Sequence, residues 1–395
     1  MSTSWTEIKL GDILAFANGK GIKPGGIGKY PVYGSNGIIG GSEIHKHSDA
    51  VIIGRVGAYC GSVMYCKNQF WASDNTIIAK PISGSINIGF SYLLLQSINL
   101  NRYAGGAAQP LLTQIVLKQV ETKVPSLLIQ KKIAAIIFAY DNLIENNTRR
   151  IQILEEMAQR IYKEWFVDFK YPGHENDHLV DSELGMIPEG WELKKTGEVF
   201  GIIGGGTPST KVPGYWENGT INWYSPKDLT KSDSMFALTS GSQISDLGLQ
   251  KSSAKLFPAF SVMLTSRATI GVVAINTTEA CTNQGFITCI PSENMSTYQI
   301  YYWLLNNIKM FLAYSSGATF KELTKTTFKK FDLVVPPKKT SSLFNELVIP
   351  IASEILTLQK QNGNLSQTRD LLLPKLISGK IDVSDLEIDT SILND

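Results

Sequence analysis

Residues 187–194 read Ile187-Pro188-Glu189-Gly190-Trp191-Glu192-Leu193-Lys194: a proline, a tight turn and a tryptophan opening a strand-like run in mid-chain. The N-terminal region has the same pattern. Trp5-Thr6-Glu7-Ile8-Lys9-Leu10-Gly11-Asp12-Ile13 matches Trp191-Glu192-Leu193-Lys194-Lys195-Thr196-Gly197-Glu198-Val199. Trp5 and Trp191 stand 186 residues apart, as do Gly11 and Gly197. A chain that opens twice is a tandem repeat, and such self-similarity decides the fold before any local pattern does.

The repeat continues. Val51-Ile52-Ile53-Gly54-Arg55 resembles Val262-Met263-Leu264-Thr265-Ser266-Arg267, which sets Arg55 and Arg267 at matching places after a strand-like run. Ser73-Asp74-Asn75-Thr76-Ile77 resembles Thr282-Asn283-Gln284-Gly285-Phe286. Gly106 and Gly317 are 211 apart, and so are Val124-Pro125 and Val335-Pro336.

Each Val-Pro is followed by apolar residues at alternating steps of four and three. The first seam is Ile133, Ile137, Tyr140, Ile144, Asn147, Ile151, Leu154, Ala158, Ile161 and Trp165. The second is Phe344, Val348, Ile351, Ile355, Leu358, Asn362, Leu365, Arg369, Leu372 and Leu376. Sustained four-three spacing predicts two long helices packed along their length as a coiled coil. The first seam spans about 48 Å of helix. Pro350 and Pro374 predict a kink or a frayed stretch in the second helix. Asn147 and Asn362 are either a register lock or a solvated break, and single seam asparagines favour the lock.

The blocks between the seams are rich in Gly, Ser, Thr and aromatics. Strand-like runs fall at Ala50–Ile53, Thr76–Ala79, Ser261–Leu264 and Gly271–Ile275, and one helix falls in each block, near 91–100 and 298–311. The predicted fold class is α+β: two mixed α+β globules in a pseudo-two-fold tandem repeat, separated by two long helices packed as an antiparallel coiled coil. The expected boundaries are a first globule at 1–125, a first helix at 126–170, a linker at 171–186, a second globule at 187–340, a second helix at 341–380 and an acidic tail at 381–395.

Charge follows the same division. Residues 1–125 hold 11 Lys/Arg against 6 Asp/Glu and residues 186–340 hold 15 against 11, whereas residues 341–395 hold 4 against 8. Two mildly basic globules suit a polyanionic partner or solubility alone. The longest apolar stretch, Ile133–Tyr140, is far short of a membrane span, and the N-terminal region shows no signal peptide. Cys60, Cys66, Cys281 and Cys289 form no framework and fit a reducing cytosol.

Catalytic constellations are missing. No phosphate-binding Walker loop occurs, and no Asp/Asn-Pro-Pro-aromatic motif of an amino-methyltransferase. Gly201-Ile202-Ile203-Gly204-Gly205-Gly206 lacks the strand–turn–helix setting of a nucleotide loop and reads as a flexible loop. His45, His47, His174 and His178 are too few for a metal or catalytic case, and no cysteine pair has zinc spacing.

Several stretches resemble a known family. Ile187-Pro188-Glu189-Gly190-Trp191, Gly204-Gly205-Gly206-Thr207-Pro208-Ser209, Tyr215-Trp216 and Trp223-Tyr224-Ser225-Pro226-Lys227-Asp228-Leu229 resemble the target-recognition domain of type I restriction–modification specificity subunits. Tyr30-Pro31-Val32-Tyr33-Gly34-Ser35-Asn36-Gly37-Ile38 resembles another variant of that domain, and residues 369–381 resemble the end of the family's second helical region. The resemblance covers essentially the whole chain.

It implies a non-catalytic, cytoplasmic subunit that reads double-stranded DNA. Such a subunit assembles with two S-adenosylmethionine-dependent adenine methyltransferase subunits and with restriction/translocase subunits that use ATP and Mg. It binds no cofactor itself and has no membrane partner. Each globule would read one half of a bipartite, asymmetric target, while the helices fix the spacer and dock the methyltransferases. In the first half Asn18-Gly19-Lys20-Gly21-Ile22-Lys23-Pro24 replaces the Gly-Gly-Gly-Thr-Pro stretch, so the two halves are expected to read different sequences. A self-contained enzyme and a scaffold for a non-DNA ligand are the readings from other classes.

Base edges and phosphates are met by Arg, Lys, Asn, Gln and hydroxyl side chains. The first-half candidates are Lys20 and Lys23 in the 20–29 loop, Ser35, Asn36, Arg55, Asn75 and Gln109. The second-half candidates are Thr207, Ser209, Lys211, Lys227, Arg267, Asn283, Gln284, Lys321 and Lys325. Arg55 and Arg267 are either arms toward DNA or structural arginines paired with a carboxylate. Off the seam, Phe138, Leu143, Met157, Tyr162 and Phe166 are either a docking face or buried against the chain's own globules.

Overall fold

The strand-like runs that open the two repeats do the same thing in each. Strand β1 (Thr6–Lys9) pairs antiparallel with the strand just before the first Val-Pro, in the register Thr6↔Val124, Glu7↔Lys123, Ile8↔Thr122 and Lys9↔Glu121. Glu192–Lys195 pairs with Asp332–Val335 in the matching register, Glu192↔Val335 to Lys195↔Asp332. The 186- and 211-residue periods are therefore joined by backbone hydrogen bonds. Cross-strand ion pairs reinforce both ladders: Lys123 to Glu7 at 3.0 Å and Lys195 to Asp332 at 2.6 Å.

The computed structural model describes residues 5–393 apart from 24, 83, 107–108, 232–233 and 318–320. It divides into two units, Met1–Glu145 with Gly363–Asp395, and Asn146–Asn362. Besides β1, unit 1 contains β2 (Leu14–Asn18), β3 (Tyr30–Gly34), β4 (Gly37–Ser42), β5 (Ala50–Gly54), β6 (Val63–Cys66), β7 (Trp71–Ala72), β8 (Thr76–Pro81) and β9 (Glu121–Val124). They form the β1-β9 pair, a four-stranded sheet β2-β8-β5-β6 and a three-stranded sheet β4-β3-β7 whose β3–β7 pair is parallel.

Unit 2 has a hairpin as its first strands, β10 (Leu179–Ser182) and β11 (Gly185–Pro188). It continues with β12 (Glu192–Lys195), β13 (Gly201–Gly204), β14 (Ile221–Tyr224), β15 (Phe236–Ala237), β16 (Ser242–Ile244), β17 (Val262–Thr265), β18 (Val273–Asn276), β19 (Ala280–Thr282), β20 (Phe286–Ile290) and β21 (Asp332–Val335). The three sheets recur as β12-β21, β13-β20-β17-β18 with β15 added at the edge, and β16-β14-β19. One helix packs on each larger sheet, Ile88–Ser97 and Thr297–Asn306, capped by the side chains of Asn87 and Ser296. A cap oxygen satisfies an amide that the first helical turn leaves orphaned.

The long helices are Leu127–Phe166 and Lys338–Ile377, 40 residues each, or about 60 Å. In unit 1 the start of the first helix (Ile133, Ala134, Ile137) shares one core with the end of the second (Leu376, Ile377), with Leu372 packed on its edge. In unit 2 the end of the first (Ala158, Tyr162, Trp165) shares a core with the start of the second (Phe344, Val348, Ala352, Ile355). Both arrangements are antiparallel. Polar residues interrupt the seam in each unit. In unit 1 Ile144 is half-buried and Arg369 donates to Asp141 at 2.6 Å. In unit 2 Ile151, Leu154 and Ile161 are half-buried. There the Asn147 amide donates to Asn362 Oδ1 at 3.0 Å and the Asn362 amide to Thr148 Oγ1 at 3.2 Å. Leu365 is half-buried in unit 1.

Several expectations are corrected or extended. The second helix runs unbroken through Pro350 and Pro374. Its seam contacts hold the backbone helical where each proline removes one donor. By length and composition this helix is also apolar enough to cross a membrane, and in this fold Phe344, Val348, Ala352, Ile355 and Leu358 are buried. The segment read as a linker contains the β10–β11 hairpin, and Tyr171 and Ile187 join the unit 2 core. The acidic tail is packed: Val383 is buried, Ile381, Ile388 and Leu393 lie against the unit 1 core, and Lys132 Nζ donates to Val383 O and Ser384 O at 3.3 and 2.6 Å.

Gly201–Gly204, read as part of a flexible loop, is the edge strand β13. A Cβ on Gly205 would sit 2.2 Å from the carbonyls of Thr282 and Asn283, so this turn is closely packed backbone.

Candidate nucleic-acid interface

In unit 1 the turn between β7 and β8, residues 73–75, gathers several segments. Lys20 N–H donates to Ala72 O at 2.9 Å, and Ser73 N–H to Tyr33 O at 2.9 Å. The Ser35 hydroxyl donates to Asn75 O and the Ser62 hydroxyl to Ser35 O, both at 2.6 Å. Arg55 N–H donates to Asn75 O at 2.9 Å, and Leu112 N–H to Arg55 O at 2.9 Å. Lys20, Ser35, Asn36, Arg55 and Asn75 thus share one rim. Gln109 lies between Gly105 and Leu111, which exchange backbone hydrogen bonds, Lys23 is exposed three residues beyond Lys20, and Pro24 is outside the described residues.

Unit 2 builds the same frame. Gly206 N–H donates to Thr282 O at 2.9 Å, Asn283 N–H to Tyr224 O at 3.0 Å, Ser266 N–H to Gly285 O at 2.8 Å, and Leu323 N–H to Ser266 O at 3.0 Å. The Thr207 hydroxyl donates to Gln284 Oε1 at 2.7 Å. Pro226 packs against Gly285, which brings Lys227 to the rim, and Lys321 O accepts from Ala268 N–H at 3.3 Å. Asn283 spends its Oδ1 inside the turn, accepting from Gly285 N–H at 2.8 Å. Ser209 and Lys211 lie further along the exposed loop, and Lys325 opens the short helix Lys325–Phe328 outside this cluster.

These bonds correct two equivalences. Ser73 matches Asn283 and not Thr282, because Ser73 N–H donates to Tyr33 O as Asn283 N–H donates to Tyr224 O. On sequence resemblance Arg55 matches Arg267, but the backbone matches Arg55 to Ser266 and Val56 to Arg267. Arg55 and Ser266 each donate to the turn and accept from Leu112 or Leu323, whereas Val56 bridges Leu111 as Arg267 bridges Glu322. Register is set by the ladder, and the second arginine simply stands one residue later. The two arginines also have different partners. Arg267 Nε donates to Glu322 Oε1 at 2.8 Å. Arg55 Nη1 donates to Asp74 O at 3.4 Å, and its buried Nε has no hydrogen-bond partner among the described residues.

The frame is shared and the side chains are not. Where unit 1 has Lys20, Gly21, Arg55, Val56, Asp74, Asn75 and Leu111, unit 2 has Gly206, Thr207, Ser266, Arg267, Gln284, Gly285 and Glu322. An indole pins the same carbonyl in each: Trp71 Nε1 donates to Lys20 O at 3.0 Å, and Trp223 Nε1 to Gly206 O at 2.9 Å. The two tryptophans come from opposite strands of the parallel pair, β7 in unit 1 and β14 in unit 2. Trp216 meets Trp223 edge-on at 5.1 Å, and Tyr224 is fully buried with its hydroxyl donating to Ala237 O at 3.0 Å. These aromatics position the rim from beneath.

Sequence reasoning missed Val56, Leu111, Glu322 and Lys46. Lys46 reaches the rim because its N–H donates to Phe70 O at 3.1 Å, one residue before Trp71. Contact with the Lys20 side chain, then desolvation, then the like charge of Lys20 hold the Lys46 amine below the ordinary lysine range. Nothing in the local sequence signals that bridge. Of the off-seam helix residues, Phe138 packs on Tyr65 and Tyr92, Tyr162 is buried, and Phe166 packs on Trp191 and Phe344, so these three belong to the globules. Leu143 and Met157 stay exposed, joined by Ile153.

Two copies of one α+β module, each presenting a differently furnished loop rim beside long helices, define a tandem recognition protein. The model of the type I restriction modification DNA specificity domain matches residues 3–156 and again 188–362, and the chain belongs to that family of specificity subunits, which are not catalysts. The chain is 29% identical over 340 residues to the MjaIX specificity subunit of Methanocaldococcus jannaschii, covering 82% of this chain and 76% of that one. It is 25% identical over 378 residues to the HindI specificity subunit of Haemophilus influenzae, covering 80% and 82%. Its fold resembles the crystal structure of a type I restriction–modification S subunit from M. genitalium, with a TM-score of 0.66, 15% identity and coverage of 95% and 96%.

Proposed function

We propose that each rim reads one half of a bipartite, asymmetric DNA target. One observation carries this: an identical backbone frame holds different side chains at each equivalent rim position named above. A frame conserved in geometry and varied in chemistry suits two different sequences. The helices fix the distance between halves and dock two adenine methyltransferase subunits. Those partners bind S-adenosylmethionine, and restriction/translocase subunits bind ATP and Mg, in the cytoplasm. The exposed Leu143, Ile153 and Met157 are the docking candidates on the first helix.

The phosphate contribution is testable by salt. In the complex with the methyltransferase of its own locus, affinity for a duplex should fall linearly on a log–log plot as KCl rises. Lys20→Gln with Lys46→Gln should lower that slope by roughly two, at ~0.9 per phosphate contact, on cognate and scrambled duplexes alike. An unchanged slope removes these lysines from the interface. Affinity indifferent to salt favours a non-DNA ligand.

A further inference from the structure

At the edge of each rim one bridged pair is built alike and filled with opposite chemistry. Val56 and Gly105 bridge Leu111 in unit 1, and Arg267 and Ser316 bridge Glu322 in unit 2. The next residue is left-handed in both, Gly57 at φ 74° and Ala268 at φ 59°. Alanine holds that strained conformation only where its surroundings impose it. In unit 2 Arg267 and Glu322, 2.8 Å apart and each over a third exposed, line a surface cavity of about 460 Å³ with Ala268 and Lys321. In unit 1 Leu111 is 37% exposed, Val56 half-buried and nearby Tyr59 59% exposed, an apolar margin.

We propose that this bridged pair sets base preference at one position of each half-site. Arg267 and Glu322 read a G·C pair, Arg267 donating to guanine O6 and N7 and Glu322 accepting from the cytosine N4 amino group. Val56 and Leu111 receive the thymine 5-methyl group of an A·T pair. The inference rests on the proposed reading that these rims meet base edges. Without DNA, Arg267 and Glu322 satisfy each other. Opposite G·C the base edges take over part of that pairing. Opposite A·T the guanidinium would face the adenine N6 amino donor and the carboxylate the thymine O4 acceptor, and that mismatch gives the discrimination. Val56 and Leu111 have no charge to strand, so unit 1 discriminates less at its position.

The test maps modified adenines in a host lacking adenine methylation that expresses this chain with the methyltransferase of its own locus. Arg267→Val with Glu322→Leu should cut the preference for G·C at one position of the unit 2 half-site about tenfold to a hundredfold, leaving the other half unchanged. Glu322→Gln keeps the side-chain shape and guards against misfolding. It should leave the complex soluble and relax the same position. A wild-type bipartite motif that is unchanged in both variants overturns the inference, as does a unit 2 half-site without a G·C position. A wild type with no bipartite motif overturns the underlying reading instead.

Discussion

Removal of residues 381–395 is expected to destabilise unit 1 by about 4–6 kcal/mol, a large share of the roughly 5–15 kcal/mol that a domain has in total. The loss has two sources. Val383 is 1% exposed and leaves a hole in the core, and Ile381, Ile388 and Leu393 uncover its edge. Lys132, 9% exposed, loses the two carbonyls its ammonium donates to. A buried charge without partners costs more than the hydrogen bonds themselves contribute. Native-state hydrogen exchange separates the units. Amides of residues 127–140 should lose most of their protection, and those of 297–306 should keep theirs. Equal protection in the truncated and full-length chains would show that the segment is an ornament.

Phe344→Ala is expected to cost unit 2 about 3–5 kcal/mol. Phe344 is fully buried and holds three rings: Phe166 edge-on at 4.9 Å, Tyr162 at 6.0 Å and Trp165 at 6.1 Å. Its removal opens a cavity among rigid aromatic neighbours that cannot collapse into it. Phe344→Leu, which refills much of the volume, should cost under half as much. Urea unfolding followed at the amides of residues 338–355 measures both, and a loss below ~1 kcal/mol for alanine would mean that the cluster does not anchor the helix.

What the sequence showed depended on repetition. Period 186 at the tryptophans and period 211 at Val-Pro located both opening strands and both seams, because ladder register and heptad spacing are local constraints carried by residue type. The seam pair Asn147 and Asn362 was legible for the same reason. The rims were legible only as neighbourhoods. Which residue stands opposite which depends on backbone bonds between segments from 19 residues apart (Ser266 and Gly285) to 76 (Gly206 and Thr282), and a one-residue shift between Arg55 and Arg267 leaves no mark on composition. The packing of the acidic tail was not legible because its charges are exposed among the described residues and its single core residue, Val383, has no period around it.

The most direct measurement is the modified-adenine map of a hybrid. Residues 1–125 are replaced by the matching block of a family member with a different target, and the hybrid is expressed with the methyltransferase of this chain's own locus. Two short specific blocks at fixed separation are expected, with only one of them changed from the wild-type motif. A hybrid that methylates the wild-type motif, or one in which both blocks change together, would contradict the claim that each rim reads its own half.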